Sequence, residues 1–341
     1  MGMTNPPASN APKPAPLISV LIIAYQSGET LGRCLAALEA QSFRDFEIIL
    51  VDNASTDGAP QAALADGPGP SLIAAGTNLG FAAGNNLAAQ AARGRWLALL
   101  NPDAYPQADW LEQLVRASQA LPAIKSFASL QVRADDPARL DGAGDVLTLA
   151  GIPYRGGYDQ PVRALPMGEV FSACGAAHLI DRDLFLALGG FDETFFCYCE
   201  DVDLGYRLRL IGQATVLVPE AVVAHVGSAV FGARSDFSLF HGTRNRLWCL
   251  VKNTPWPLVP LVAVLHLFAL VGIFGLHLMR GEIKPVWRGL MAALKGLGPV
   301  LEARKAIQAG RTASSGKILR ALANNPLDLI RRAVVINPLK P

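Results

Sequence analysis

Between residues 17 and 250 the chain repeats one pattern. A short apolar run gives way to a polar loop, and then to a segment whose apolar residues recur at helical spacing. Leu17–Ala24, Phe46–Val51, Ser71–Ala75 and Trp96–Leu100 are the apolar runs. Each is too short for an ordinary helix and reads as a strand, buried on both faces where the run is unbroken. Leu31, Cys34, Leu35 and Leu38 stand at i, i+3, i+4 and i+7, the buried stripe of a helix running from Ser27 or Gly28 to about Gln41. Further helices are expected over Asn85–Ala92 and Gln107–Ala120. Strands alternating with helices at this length predict an α/β fold, a mostly parallel sheet with helices on both faces.

Two of these strands deliver a carboxylate to their carboxyl edge, where open α/β sheets bind ligands. Phe46–Val51 runs into Asp52, and Trp96–Leu100 stops at Asn101-Pro102-Asp103. A lone carboxylate such as Asp103 suits a hard divalent cation that takes phosphate oxygens as further ligands. It equally suits a cap for the helix that follows. Asp52 can accept from a pyrimidine N–H or close an Asx-turn. Farther on, Glu200–Ile211 scans as a helix with Glu200, Asp201 and Asp203 crowding its first turn. The helix dipole alone accounts for such a cluster; a general base is the functional alternative. Val216–Val223, a further strand, leads to His225, which can ligate a metal, bind a diphosphate or be structural.

Hydropathy changes after residue 255. Trp256–Met279 carries no charge, and the prolines at 255, 257 and 260 leave Leu261–Met279 as an apolar helix roughly 28 Å long, barely one bilayer core. Residues 280–341 hold 12 Lys/Arg against 3 Asp/Glu, although the whole chain is only +2. The basic tail calls for an anionic surface. A single crossing would put that tail opposite the body, against the positive-inside tendency. A helix lying in the interface, followed by a basic amphipathic segment Ile283–Lys305, is therefore preferred; a crossing helix and a helix buried on the body are the alternatives. Residues 1–16 are rich in Pro and Ala and read as a disordered lead, neither signal peptide nor anchor. The five cysteines show no CxxC spacing and indicate neither zinc nor a disulfide framework.

Taken together, VLIIAYQSGETL, ILVDNASTDG, NLGFAAGNN and LLNPDA resemble the family 2 inverting glycosyltransferases, most of all the rhamnosyltransferase-like branch, over about residues 17–250. The resemblance implies a GT-A fold, a nucleotide-diphosphate sugar donor and Mg²⁺ or Mn²⁺. It places Tyr25 and Glu29 at the nucleoside, Asp52 at the base, Asn53, Ser55 and Asp57 in the loop after the second strand, and Asn78, Gly80 and Asn85 near the donor. Asn101 and Asp103 stand at the metal motif, whose first position is usually acidic, and His225 joins Asp103 as metal ligand. Asp201 is the base and Glu200 orients the acceptor. His241-Gly-Thr-Arg-Asn resembles the family's Arg-Asn element, where Arg244 can hold phosphate oxygens. Phe127–Val170, rich in Gly, Pro and Asp, reads as acceptor-side loops.

The expected organisation is a lead (1–16), a catalytic domain (17–250) and a hydrophobic, basic, membrane-associated helical region (251–341). The expected function is addition of one sugar, with dTDP-rhamnose as the donor the branch points to, to a glycan or polyprenyl-linked acceptor at the cytoplasmic face of the plasma membrane. Nucleic acid is not an expected partner. The Gln-x-x-Arg-Trp element of processive synthases is missing, which points to single addition. Nucleotidyl transfer would need a Gly-rich basic loop after the first strand, and Tyr25–Thr30 is not one. A catalytically silent nucleotide-sugar or membrane-binding module is the other class.

Overall fold

The computed structural model describes residues 14–64, 69–227 and 235–339. Most of the expected lead therefore lies outside the described residues. The first half runs β1 (Ile18–Ala24), α1 (Gly28–Glu39), β2 (Phe46–Asp52), α2 (Ala59–Ala62), β3 (Ser71–Ala74), α3 (Gly80–Ala91), β4 (Trp96–Leu100), β5 (Ala104–Pro106) and α4 (Trp110–Ala120). It continues through β6 (Ser126–Arg133), β7 (Leu140–Ala143), β8 (Asp145–Leu147), β9 (Pro153–Arg155), β10 (Gly168–Val170), β11 (Ala177–Asp181), α5 (Arg182–Ala187), α6 (Glu200–Leu210) and β12 (Thr215–His225). The rest is helical: α7 (Asp236–Asn253), α8 (Val259–Met279), α9 (Ile283–Lys295), α10 (Leu297–Ala309), α11 (Ser315–Ala321) and α12 (Pro326–Arg331).

Strands pair in the order β10-β12-β6-β11-β4-β1-β2-β3. β3, β2, β1 and β4 are mutually parallel, β11 is antiparallel to both β4 and β6, and β12 is parallel to β6. Side chains alternate faces along a strand, so β1 serves two cores at once. Ile18, Val20 and Ile22 pack with Leu31, Cys34 and Leu38 of α1 and with Trp110 and Leu114 of α4. Leu21 and Ile23 pack with Ala82, Ala88 and Ala89 of α3 and with Leu204 and Leu208 of α6. Burying each of these leucines contributes roughly 1.5–3 kcal/mol.

Within 127–170 the expected loops give way to order. β6 is an interior strand of the main sheet, and β7, β8 and β9 form two short antiparallel pairings beside it. Polar residues disguised β6, but they are buried in partnership. Ser126 Oγ meets His178 Nε2 and Thr215 Oγ1 at 2.9 Å, and Ser129 Oγ accepts from Trp110 Nε1 at 2.8 Å. Asp103 does not cap α4; β5 intervenes, and Asp109 holds the N-cap position.

The helices after residue 250 share a core with the body. Val202 and Tyr206 of α6 and Trp248 of α7 cluster with Ala293, Val300 and Ile318. The expected second amphipathic segment is two helices, α9 and α10, broken at Gly296. Beyond them the chain returns to the body, pairing Ala323 with Thr148 and Asn337 with Glu169. Trp256–Met279 is long and apolar enough to cross a membrane, with mean hydropathy 2.4. Yet Val262 and His266 of α8 are buried, and His266 Nδ1 bonds the Ala150 carbonyl at 2.8 Å. The less exposed positions from 261 on, 262, 265, 266, 269, 270, 273, 274 and 277, lie on one side of the helix. The opposite face exposes Leu267, Phe268 and Val271 at 64%, 72% and 67%.

Candidate active site

A cavity of about 700 Å³ opens at the carboxyl edge of β1 and β4. At one end stand Tyr25, Asn53, Asn78 and Gly80. Asn53 Nδ2 donates to the Gly80 carbonyl at 3.0 Å, and Asn78 Oδ1 accepts from Gly80 N–H. Gly80 has φ +78°, and a Cβ there would lie 2.6 Å from Phe196, so only glycine lets these loops close on each other.

In the middle, β5 pairs with the end of β12, Ala104 opposite His225, and this brings Asp103 beside the imidazole. His225 Nε2 lies 3.4 Å from Asp103 Oδ1 and 3.4 Å from Asn101 Nδ2. Its Nδ1 lies 2.8 Å from Asp141 Oδ2. An ionised carboxylate only accepts, so Nδ1 carries a proton toward Asp141, and Nε2 is the ring nitrogen that faces Asp103. Burial opposes the imidazolium, but the bonds to Asp103 and Asp141 outweigh it and raise the His225 pKa above 6.5. Burial also works against the Asp141 carboxylate; His225 and the Arg155 ion pair overcome it and hold the pKa below the ordinary value. A carboxylate oxygen and an imidazole nitrogen converging on one point, with an outer carboxylate on the far imidazole nitrogen, fit a divalent cation.

Opposite lie Glu200 and Asp201, at the start of α6. Asp201 Oδ2 accepts from Gly175 N–H at 3.1 Å and Oδ1 from Val202 N–H at 2.8 Å. Glu200 Oε2 is buried without a partner among the described residues. Burial raises both pKa values, Glu200 well above its ordinary range. The backbone donors and Arg155 favour charge on Asp201. Of the two, Asp201 is the better stabilised as a carboxylate, and Glu200 is the one pushed further toward the acid form. Asp145, Cys174 and Asp201 place ligand-type atoms within 4.8 Å of one another. Arg155 already sits there, its Nη2 donating to Cys174 Sγ at 3.3 Å. Burial pushes the Asp145 carboxyl well above its ordinary range and the Cys174 thiol up to about 12.

The loop before this pair is strained. Phe196, Tyr198 and Cys199 all have positive φ, at 65°, 70° and 67°. Asn245 Nδ2 holds it by donating to the carbonyls of Phe195, Cys197 and Tyr198 at 2.8–2.9 Å. Lys252 pins the far side of α6, 2.9 Å from the fully buried Asp203, which also pairs with Arg207.

Four residues that the resemblance places at the donor, Glu29, Asp52, Asn85 and Arg244, are not among those lining the cavity. Asp52 closes an Asx-turn, accepting from Ser55 N–H at 2.8 Å. Asn85 donates to the Phe81 carbonyl inside α3. Glu29 is exposed in the first turn of α1. Arg244 donates to the Thr194 and Phe195 carbonyls and stacks 4.5 Å over Trp248. Asp57 ties two loops together, accepting from Gly28 N–H at 2.7 Å. Asp141, Asp145, Arg155, Cys174 and Arg246 are additions. Asp141-Gly-Ala-Gly-Asp145 was the signal in the sequence, two carboxylates flanking a turn.

A family model described as "Glycosyl transferase family 2" matches residues 19–188. An N-acetylglucosaminyl-diphospho-decaprenol L-rhamnosyltransferase of Mycobacterium tuberculosis is 31% identical over 233 residues, covering 61% of this chain and 76% of that protein. An O-antigen biosynthesis protein of Myxococcus xanthus is 28% identical over 256 residues, 71% of this chain but 20% of that larger protein. Among solved structures, GalNAc-T7 with UDP, GalNAc and Mn²⁺ aligns with TM-score 0.56 and 17% identity, over 71% of this chain and 48% of that one. A mannosyltransferase of Pyrobaculum calidifontis with GDP-Man and Mn²⁺ aligns with TM-score 0.52 and 18% identity, over 96% and 88%. These two likenesses concern the fold, which is GT-A-like.

Proposed function

The chain belongs to the family 2 glycosyltransferases, and from that premise we propose that it adds one sugar from a nucleotide-diphosphate donor to a lipid-linked glycan acceptor, with inversion, in cell-surface polysaccharide assembly. The observation that carries this reading is the convergence of Asp103 with His225, and of Glu200 with Asp201, on one cavity. The mycobacterial relative's name points to L-rhamnose as the sugar and a prenyl diphosphate carrier for the acceptor.

In this reading the nucleoside lies at the Tyr25, Asn53 and Asn78 end. Asp103 and His225 would hold Mg²⁺ or Mn²⁺, with Asn101 beside them. Such a cation supplies charge to the leaving diphosphate. Asp141 fixes the imidazole tautomer. The Asp201 carboxylate takes the acceptor hydroxyl proton while that oxygen bonds the anomeric carbon, and the bond from that carbon to the diphosphate oxygen breaks. Attack from the face opposite the leaving group inverts the centre. Protonated Glu200 donates a hydrogen bond that orients the acceptor. The Gly175 N–H and the Asn245-held loop fix the direction of Asp201.

Residues 17–250 carry this chemistry, and 251–341 hold it at a membrane, on the cytoplasmic face where nucleotide sugars are available. Two observations support an in-plane helix over a crossing one. One stripe of α8 is docked along the body, and the chain after α8 pairs with Thr148 and Glu169 of the same body. The test is a panel of nucleotide sugars offered to the full-length protein with Mn²⁺ and a prenyl-diphosphate-linked N-acetylglucosamine acceptor. One product sugar of inverted anomeric configuration is expected. Binding of no nucleotide sugar, or a retained configuration, refutes the reading.

A further inference from the structure

Ser238, Leu239, Gly242, Thr243 and Arg246 form one face of α7 and line the cavity. Arg246 stands out among the basic side chains there. Its Nε and Nη2 are buried and have no hydrogen-bond partner among the described residues. Arg155, by contrast, is paired with Asp141. A guanidinium stays charged in proteins and offers five donors in a planar fork, so a buried one without partners is matched to an anion from outside the chain.

Its surroundings say which end of the substrate pair that anion belongs to. Arg246 is also flanked by Leu147, Gly151, Pro153, Cys199, Val202, Cys249 and Leu250. Those neighbours belong to β8, β9, α6, α7 or the turns beside them, with nothing from β1–β4 or the strand ends that carry Asn53 and Asp103. Ile273 and His277 of α8 line the main cavity as well. Beyond them, α8 turns its apolar face outward. Cationic fork, base and apolar helix thus belong to α7, α6 and α8, and none of them comes from the β1–β4 strand ends that carry Asn53 and Asp103.

We propose that Arg246 receives the phosphate or diphosphate of a lipid-linked acceptor, whose hydrocarbon chain leaves the cavity past Ile273 onto α8. The proposal rests on the glycosyltransferase reading and assigns its acceptor class to a side chain. The donor's diphosphate has the same chemistry, so the experiment separates the two. Farnesyl diphosphate is titrated into the full chain with the nucleotide end saturated by a nucleoside diphosphate and Mn²⁺. Wild type should bind it despite the nucleotide, and farnesol should not substitute for it. Arg246→Gln should weaken binding at least about tenfold while leaving nucleotide affinity unchanged; Arg246→Lys should fall between, keeping charge but losing the fork.

Displacement of farnesyl diphosphate by the nucleotide overturns the proposal, as does equal binding by wild type and R246Q, or a loss of nucleotide affinity in R246Q. Wild type alone gives a second readout. With nucleotide bound, farnesyl diphosphate and not farnesol should raise its melting temperature, and no rise overturns the proposal even if R246Q does not fold. Failure of the underlying reading shows separately, as no nucleotide-sugar binding by wild type.

Discussion

His225 turns its Nδ1 edge to Asp141 at 2.8 Å, and that single contact decides which nitrogen faces Asp103. Outer partners of this kind typically change metal affinity or activity by about 10–100-fold when removed. Asp141→Asn is therefore expected to raise the Mn²⁺ concentration needed for transfer by about that factor, with activity recovering at high metal. Asp103→Ala should not recover. A metal titration of the three proteins checks both; an unchanged requirement in Asp141→Asn refutes the role given to Asp141.

Asp201→Asn keeps the side chain's shape and one of its two backbone contacts but cannot take a proton. Turnover should fall at least about a hundredfold with donor affinity nearly intact. The wild-type pH profile carries the same information. The Asp201 pKa is raised by burial, and the base works only when ionised. Activity is thus lost as pH falls through a value above the ordinary 3.8 for aspartate. Arg155 pulls this pKa down. In Arg155→Gln the acidic limb should move to higher pH, and a limb that stays or moves lower contradicts the electrostatic account.

Asp203 is a stability element rather than a catalytic one. It is fully buried, and Lys252 lies 2.9 Å from its carboxylate. Removing Lys252 leaves Asp203 buried with Arg207 as its remaining ion pair, at a cost of up to about 3–5 kcal/mol. Lys252→Met should show this loss in denaturant unfolding. Burial opposes the Asp203 carboxylate, but Lys252 and Arg207 outweigh it and lower the pKa. Its stabilisation is present above the unfolded value and disappears as pH falls through the folded one, below 3.8. Lys252→Met should therefore lose its difference from wild type in acid, and a gap that widens instead would contradict this.

Much of the architecture could be read from apolar runs that end in polar loops, because β1, β2 and β4 are buried on both faces and their composition shows it. Asp103, Glu200, Asp201 and His225 could be singled out for a related reason: each ends or follows a strand or opens a helix. What stayed hidden depends on contacts far apart in sequence. Ser126, Ser129 and Gln131 made β6 look like loop, since a buried polar residue is recognisable only beside its partner. Arg244 and Arg246 are neighbours on one helix with like chemistry. Only the fold separates the one that holds carbonyls from the one whose Nε and Nη2 have no partner among the described residues.

The exposed face of α8 makes a simple prediction. Replacing Leu267, Phe268 and Val271 together by Glu removes exposed apolar area without touching the docked stripe. The variant should fold and keep nucleotide binding yet no longer sediment with anionic vesicles. Retained sedimentation would shift membrane attachment to the basic helices beyond it.

Ile273 and His277 belong at once to α8 and to the cavity wall. An enzyme seated this way meets its two substrates in different dimensions. The nucleotide sugar arrives from a volume, and its supply follows molarity. A lipid-anchored acceptor arrives along a plane, and its supply follows mole fraction in that plane. Diluting the acceptor with inert lipid at fixed total acceptor should slow transfer in proportion, although the acceptor's bulk concentration has not changed. Dilution with detergent micelles should do the same. The rate in a cell would then be set by how crowded the membrane is with carrier lipid, not by how much of it the cell contains.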